Sequence, residues 1–463
     1  MYLTSFTVRD IKCFEEVRLD FPSVGDGSYA GWNVLLGTNA TGKTTLLQAM
    51  AVALIGATHG MRLVSPGVWV RRGAPHGSIE AEFLPGDKDS AMGAPRKGTP
   101  YRASFAVLGN DPIELDGKLY TSPEIVLRGD SNDKSHRGLL KGPYAADKPG
   151  WLVCGYGSFR RFTGGAENEL THESGRAGRV ASLFHESVAL KQAMQWLPKL
   201  FSRSLNIHAA GHQQAAKEYD TVFKLINALL PPAVRLSHVD TDHVYFEAPG
   251  TPHVELLELS DGYRSFLSLV MDLLRQIADA FGGVASLVWL DENGNPSVDA
   301  DGVVLIDEAD LRLHPSWQRE IGPRLVSIFP RLQFIVTSHS PFIAQEAIPD
   351  GLFVLRTARP EAAVQCIKPL SRVDGWTADE ILKSPLFGLT DTRSKETERL
   401  LDEHADLRGK EKFERLSAND KKRLGAIEKA LAEQMTSPAE RHRRAVDEKI
   451  RQAAEKARRA AGA

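Results

Sequence analysis

Cysteine is almost missing from this chain: 463 residues contain three, Cys13, Cys154 and Cys366. Three thiols so far apart build no disulfide framework, and such a chain reads as one from a reducing compartment. Long apolar runs are missing as well. No stretch of about 18 apolar residues occurs, so no transmembrane segment is expected. The opening MYLTSFTVRDIKCF alternates like a strand and lacks the apolar core of a signal peptide. An excess of one charge is the third absence. The 57 Lys and Arg stand against 59 Asp and Glu, a net charge of −2. That excludes a wholly basic nucleic-acid coat, though not a local basic patch. There is no internal repeat. What is there, 25% charged and 42% hydrophobic residues, is the composition of a soluble globular protein. At about 100–200 residues per domain the length suggests two to four units. The expected location is the cytoplasm.

Hydrophobic patterning divides the chain. Residues 1–36 read as two or three strands, ending in the apolar run Trp32-Asn33-Val34-Leu35-Leu36, and a helix is expected from Lys43 to about Ile55. Between 57 and 150, Gly, Pro and Asp are frequent and short alternating runs such as Ser78–Phe83 suggest antiparallel strands with long loops. Residues 180–230 are helical in period and stop at Pro231-Pro232. Strands return over Val234–Phe246, and a long helix runs from about Tyr263 to Phe281. The runs Gly302–Ile306 and Leu332–Val336 have the character of buried parallel strands. One short strand candidate, Leu352–Leu355, follows. Beyond about Thr390 the chain turns to charged helix. Residues 441–463 carry eight Lys or Arg against three acids, and Ser437-Pro438-Ala439-Glu440 has the form of a helix start.

Four short motifs carry the chemistry. Gly37-Thr38-Asn39-Ala40-Thr41-Gly42-Lys43-Thr44 follows an apolar strand and opens a helix. Glycines let such a loop wrap closely, its N–H groups face phosphate, and the helix start adds its positive dipole end. Lys43 would reach the β- and γ-phosphates and Thr44 would ligate Mg2+. Gly37, Asn39, Gly42 and Thr45 complete the candidate nucleotide contacts. Val303-Val304-Leu305-Ile306-Asp307-Glu308 describes a buried strand delivering two acids at its C-terminal end, where open α/β sheets bind ligands. Asp307 would hold the metal ion and Glu308 would position or deprotonate the attacking water. Leu259-Ser260-Asp261-Gly262, 47 residues ahead of Asp307, opens the long helix and offers a second anion-binding helix start. Thr337-Ser338-His339 ends the next strand, with His339 placed to sense the γ-phosphate.

That order of motifs resembles the ABC-type ATPase head, in its soluble RecF/SMC/OLD-like branch among AAA-family ATPases. The resemblance covers residues 1–56 and about 240–350 and is looser at Cys154–Arg161, similar to a YGxxR element. It implies an α/β fold, an ABC-ATPase head (a P-loop NTPase) with an inserted β/helical region and a charged helical C-terminal tail. The implied boundaries are 1–56 and 241–390 for the two lobes of the head, 57–240 for the insertion and 391–463 for the tail. It also implies ATP and Mg2+ as ligands, hydrolysis to ADP and phosphate, and a homodimer or higher oligomer sandwiching ATP. In that sandwich Ser260 and Gly262 bind the nucleotide held by the opposite subunit, and Asp310 faces the partner. More narrowly, IDEADLRLHPSWQREI, FPRLQFIVTSHSP and KSPLFGLTDTR are similar to ATPase subunits of bacterial anti-phage systems of the Septu and retron-associated kind. That likeness implies a switch subunit working with a separate effector, a nuclease, with DNA repair or chromosome maintenance as the alternative. Nucleic acid is a further possible partner. The sequence departs from such relatives at Ala40, where they often have glycine, and at Arg312, where they often have histidine. The 124 residues after His339 offer too little strand for a fused nuclease of the OLD type.

Overall fold

A computed structural model of the chain describes residues 1–435 except 26, 90–99, 130–132, 146, 147, 149, 161–174, 187, 189, 209, 210, 358, 360, 361, 370, 414 and 415. The basic segment 441–463 and the helix start at Ser437 lie outside the described residues. Two units separate at Ile381.

In the first unit two sheets enclose one helix. The strands in chain order begin with β1 (Tyr2–Ile11), β2 (Phe14–Asp20) and β3 (Gly31–Gly37). Next come β4 (His76–Leu84), β5 (Tyr101–Leu108), β6 (Ile113–Leu115), β7 (Lys118–Tyr120), β8 (Ile125–Arg128) and β9 (Val153–Tyr156). One sheet is antiparallel, in the order β2-β1-β4-β5-β8. The strands expected over 57–150 are therefore present and extend the N-terminal hairpin, since β4 pairs with the free edge of β1 through Thr7↔Glu80 and Val8↔Ile79. β4 alternates as its sequence does, burying Gly77, Ile79, Ala81 and Phe83 on one face.

The second sheet joins β3 and β9 to strands from later in the chain. Three short strands, β10 (Arg235–Val239), β11 (Val244–Ala248) and β12 (Thr251–Glu255), form their own meander. The hairpin β13 (Val288–Leu290) and β14 (Pro296–Val298) precedes β15 (Gly302–Ile306), β16 (Leu332–Ser338), β17 (Leu352–Arg356) and β18 (Gln365–Ile367). The order is β18-β17-β3-β16-β15-β9, parallel except at the β17–β18 edge. The edge strand β18, three residues long, gave no signal in the sequence.

Helix α1 (Lys43–Ile55) buries ten of its thirteen residues, which fits its place between the two sheets: it packs against β1 and β4 on one side and β3, β9, β15 and β16 on the other. Its last carbonyls are satisfied by side chains. Trp151 Nε1 donates to Leu54 O at 2.7 Å, and the Tyr144 hydroxyl donates to Ala53 O. The other long helices of this unit are α2 (Arg176–Phe184), α3 (Lys191–Leu205), α4 (His212–Leu229), α5 (Asp261–Phe281) and α6 (Ile321–Ile328).

The second unit, from Leu382, contains a helical hairpin, α7 (Lys395–Phe413) and α8 (Ala418–Met435). Leu400, Leu407, Leu424, Ile427 and Leu431 form its small core. Exposed Arg423–Glu403 and Arg408–Glu428 pairs cross between the helices, and such pairs contribute little.

Candidate functional site

The site forms where β3, β15 and β16 end side by side. β3 delivers the chain into the phosphate loop, and α1 leaves it at Lys43. Gly42 has φ 80°, and a Cβ there would lie 2.4 Å from the Phe14 ring and 2.6 Å from Cys13 Sγ. Only glycine fits. Ala40 also sits in the left-handed region at φ 66°. Lys43 is 7% exposed, and its ammonium donates to the carbonyls of Gly37 (2.8 Å) and Thr38 (3.0 Å). Burial lowers its pKa, while the charges of Asp307, Glu308 and Asp310 act the other way.

The acids arrive from β15. Asp307 Oδ2 accepts from Thr44 Oγ1 at 2.7 Å, and Asp307 Oδ1 accepts from Thr337 Oγ1 at 2.5 Å. The same Thr337 hydroxyl accepts the Glu308 N–H at 2.7 Å. Phosphate-loop threonine, strand-end acid and neighbouring strand are thus one hydrogen-bonded unit. Glu308 adopts φ 48°, a conformation that non-glycine residues visit rarely and that turns the chain sharply after Asp307. Burial, then the charges of Asp307 and Asp310, raise its pKa.

His339 follows β16. Burial lowers its pKa, and the charge of Lys43 adds to the effect while Asp310 and Asp307 oppose it. Asp310 Oδ1 accepts from Ser338 Oγ at 2.5 Å and from the His339 N–H at 3.3 Å. Lys43, Asp307, Glu308, Asp310 and His339 therefore form one electrostatic cluster. Gly37, Asn39, Thr44 and Thr45 lie on the loop and first helical turn that border it.

Ser260 and Gly262 belong to the start of α5. Ser260 caps α5 by position, is exposed, and makes no side-chain cap hydrogen bond. Gly262 packs so closely against the turn after Asp310 that a Cβ would lie 2.5 Å from the Arg312 carbonyl oxygen. Among the described residues no hydrogen bond joins Ser260 or Gly262 to the phosphate loop.

Three contributors carry no role in the sequence reading. Thr337 lies inside a motif whose histidine drew the attention. Arg160, the arginine of the YGxxR element, is 5% exposed and donates to the carbonyls of Gly157 (3.1 Å), Asp307 (2.6 Å) and Glu308 (3.0 Å). Burial lowers its pKa to about 10, the three neighbouring acids resisting that fall. Asp272 in mid-α5 accepts from the buried Tyr156 hydroxyl at 3.1 Å and pairs with Arg275 at 2.7 Å, fixing α5 to β9. A mid-helix acid followed three residues later by arginine was the available signal.

The donor set suits a small hard cation. Thr44 Oγ1 and an Asp307 carboxylate oxygen, 2.7 Å apart, are the oxygen ligands that Mg2+ takes together with water and phosphate. Among the described residues no helix is long and apolar enough to cross a membrane.

Comparison with known proteins agrees with these motifs. Residues 5–101 match a family described as "AAA domain", and residues 181–344 match one described as "AAA domain, putative AbiEii toxin, Type IV TA system". The chain is 25% identical over 396 residues to Septu protein PtuA of Bacillus mycoides (strain KBAB4), covering 84% of this chain and 45% of that protein. It is 31% identical over 173 residues to the Retron Ec83 probable ATPase of Escherichia coli, covering 37% of this chain and 28% of that protein. The chain thus spans less than half the length of these curated relatives. Among solved structures, an Smc head bound to the C-winged helix domain of ScpA aligns with a TM-score of 0.47 at 13% identity, covering 80% of this chain and 98% of that one. The chain is similar to Septu and retron ATPases, and its architecture is that of an α/β P-loop head.

Proposed function

We propose that the chain is a Mg2+-dependent ATPase that serves as the nucleotide switch of a bacterial anti-phage defence system, acting in the cytoplasm with a separate effector, a nuclease. The observation that carries the ATPase reading is the Thr44–Asp307–Thr337–Glu308 unit beside a phosphate-loop lysine. The defence reading rests on similarity to the Septu and retron proteins.

In this reading ATP lies along the loop, its phosphates on the N–H groups of residues 38–44 and on Lys43, which exchanges its loop carbonyls for phosphate oxygens. Thr44 and Asp307 would hold the metal ion, which would supply positive charge beside the phosphate chain. Glu308 accepts a hydrogen bond from the attacking water and takes its proton as that oxygen bonds to the γ-phosphorus and the bond from that phosphorus to the β–γ bridging oxygen breaks, the electron pair leaving with ADP. A raised pKa suits a carboxylate that must accept a proton. ADP and phosphate result. His339, beside Lys43 and Asp310, contacts the γ-phosphate and registers its loss. Ser260 and Gly262 serve the nucleotide of a second copy, which makes the working unit at least a homodimer, with Asp310 toward its interface.

The test is ATP hydrolysis by the purified chain beside the Glu308→Gln variant. Magnesium-dependent phosphate release that disappears with Glu308→Gln supports the reading. Equal turnover by both proteins defeats it.

A further inference from the structure

We propose that Arg160 is a positioning residue for hydrolysis: by holding the carbonyls on either side of the Glu308 Cα it keeps Glu308 aimed at the attacking water. The inference rests on the reading of Glu308 as the group that orients that water.

Three observations carry it. First, the guanidinium binds backbone and not carboxylates. It donates to Asp307 O at 2.6 Å, Glu308 O at 3.0 Å and Gly157 O at 3.1 Å, and among the described residues it makes no ion pair. An arginine beside three acids ordinarily forms a bidentate pair with one of them. Here its charge offsets the mutual repulsion of Asp307, Glu308 and Asp310 while their oxygens stay available for metal ion and water.

Second, the chain turns at the residue being held. Glu308 has φ 48°, the left-handed conformation in which Cβ crowds the following carbonyl oxygen. A glutamate keeps that conformation only where its surroundings impose it. Several groups do so: Thr337 Oγ1 accepts the Glu308 N–H, Leu311 N donates to Glu308 O at 3.1 Å, Ala309 N donates to Thr337 O at 2.9 Å, and Arg160 binds the carbonyls before and after Glu308. Losing the arginine leaves a hinge that can relax toward ordinary backbone, moving the carboxylate.

Third, Arg160 is itself fixed to the body of the sheet. Its loop leaves β9, which pairs in register with β15 through Ile306↔Tyr156, and Asp307 N donates to Tyr156 O at 2.8 Å. Tyr156 is bound in turn to Asp272 of α5. The clamp therefore ties the hydrolytic end of β15 to the helix that Ser260 opens.

The experiment compares wild type, Arg160→Ala, Arg160→Lys and Glu308→Gln for steady-state turnover and for equilibrium binding of a fluorescent ATP analogue with magnesium. Displacement of a catalytic group by about 1 Å costs about 100-fold, so kcat of Arg160→Ala is expected to fall by that order while nucleotide affinity stays within about twofold. Arg160→Lys, whose ammonium cannot bridge carbonyls as a planar fork does, is expected between the two. Millimolar guanidinium should raise kcat of Arg160→Ala several-fold over equal sodium chloride and leave Glu308→Gln unchanged. Arg160→Ala turning over within about twofold of wild type overturns the proposal. So does affinity falling in step with kcat in both Arg160 variants, which marks a merely structural arginine, or an absence of guanidinium rescue. If Glu308→Gln itself turns over normally, the premise fails and the inference with it. If Glu308→Gln is inactive and Arg160→Ala is not, only the inference fails.

Discussion

Thr44 Oγ1 donates to Asp307 Oδ2 at 2.7 Å across 263 positions of sequence. Neither residue is informative alone, because a threonine opens many helices and an acid ends many strands. Joined, they bring the start of α1 to the end of β15 and set two hard oxygen ligands side by side. The rest of the site is arranged around that pair.

Lys43 tests the phosphate loop. Its ammonium is the loop's side-chain cation and is held by Gly37 and Thr38 carbonyls. Hydrogen bonds to charged groups contribute about 1.5–3 kcal/mol, so Lys43→Ala should weaken magnesium-ATP binding by about 10- to 100-fold. Isothermal titration measures this directly. Undiminished affinity would remove the nucleotide assignment.

For Glu308→Gln the expected outcome separates binding from chemistry. The amide keeps the shape of the carboxylate but accepts a proton poorly, so kcat should fall by about 10²–10⁴-fold. ATP affinity should be retained and the ATP-bound assembly should accumulate, as light scattering or sedimentation would report. A variant that hydrolyses at the wild-type rate would reduce Glu308 to an acidic strand end.

Much of this was legible in the sequence because the signals are local. The helix Lys43–Ile55 is announced by the glycine-lysine-threonine start and an apolar body, and β15 and β16 by runs of buried residues. Pairing was not legible, since β4 joins β1 only in three dimensions and no periodicity states a partner. Three-residue strands such as β13 and β18 are too short to carry a pattern. Arg160 and Thr337 stayed hidden for another reason. They act through backbone groups of residues about 150 and 30 positions away, and sequence gives no sign of which carbonyl a buried side chain will meet.

The link between α5 and β9 should appear in stability. Removing the Tyr156 hydroxyl with Tyr156→Phe forfeits one buried hydrogen bond, about 1 kcal/mol. Asp272→Ala also leaves Arg275 short of its buried partner, and broken buried pairs cost about 3 kcal/mol or more. Urea unfolding should show lower midpoints with an unchanged slope in both variants, Asp272→Ala the lower. Equal midpoints for wild type and Asp272→Ala would mean the contact is energetically idle.

Thiol chemistry probes the phosphate loop from behind. The thiolate is the reactive form, and burial pushes Cys154 and Cys366 up to about 12. Cys13 is also raised by burial, with Lys12 and Arg71 opposing. Labelling of Cys13 should therefore rise with pH through a range above that of an ordinary thiol. Because Cys13 Sγ lies against Gly42, a maleimide there should weaken ATP binding, and Cys13→Ser should bind ATP normally while resisting the reagent. Labelled protein that binds ATP as well as unlabelled protein would refute this.

The last prediction concerns Ser260. Lys43 and Ser260 stand at the starts of two helices, and each start presents unpaired backbone N–H groups and a positive dipole end. Among the described residues no hydrogen bond joins Ser260 to the phosphate loop. Ser260 is exposed with its hydroxyl making no cap bond, and Gly262 packs the start of α5 against the Arg312 carbonyl. In the proposed function a nucleotide takes them from two copies. Mixing Lys43→Ala protein with Ser260→Arg protein then creates heterodimers with one intact composite site. In an isologous dimer mixed at equal amounts, half of the assemblies are mixed and each has one working site, so activity should return to about a quarter of the wild-type rate. Neither variant alone should recover any. Sedimentation with ATP shows whether mixed assemblies form, using a size tag on one variant. Mixed assemblies that form yet stay inactive at every ratio would rule out independent composite sites shared between the subunits.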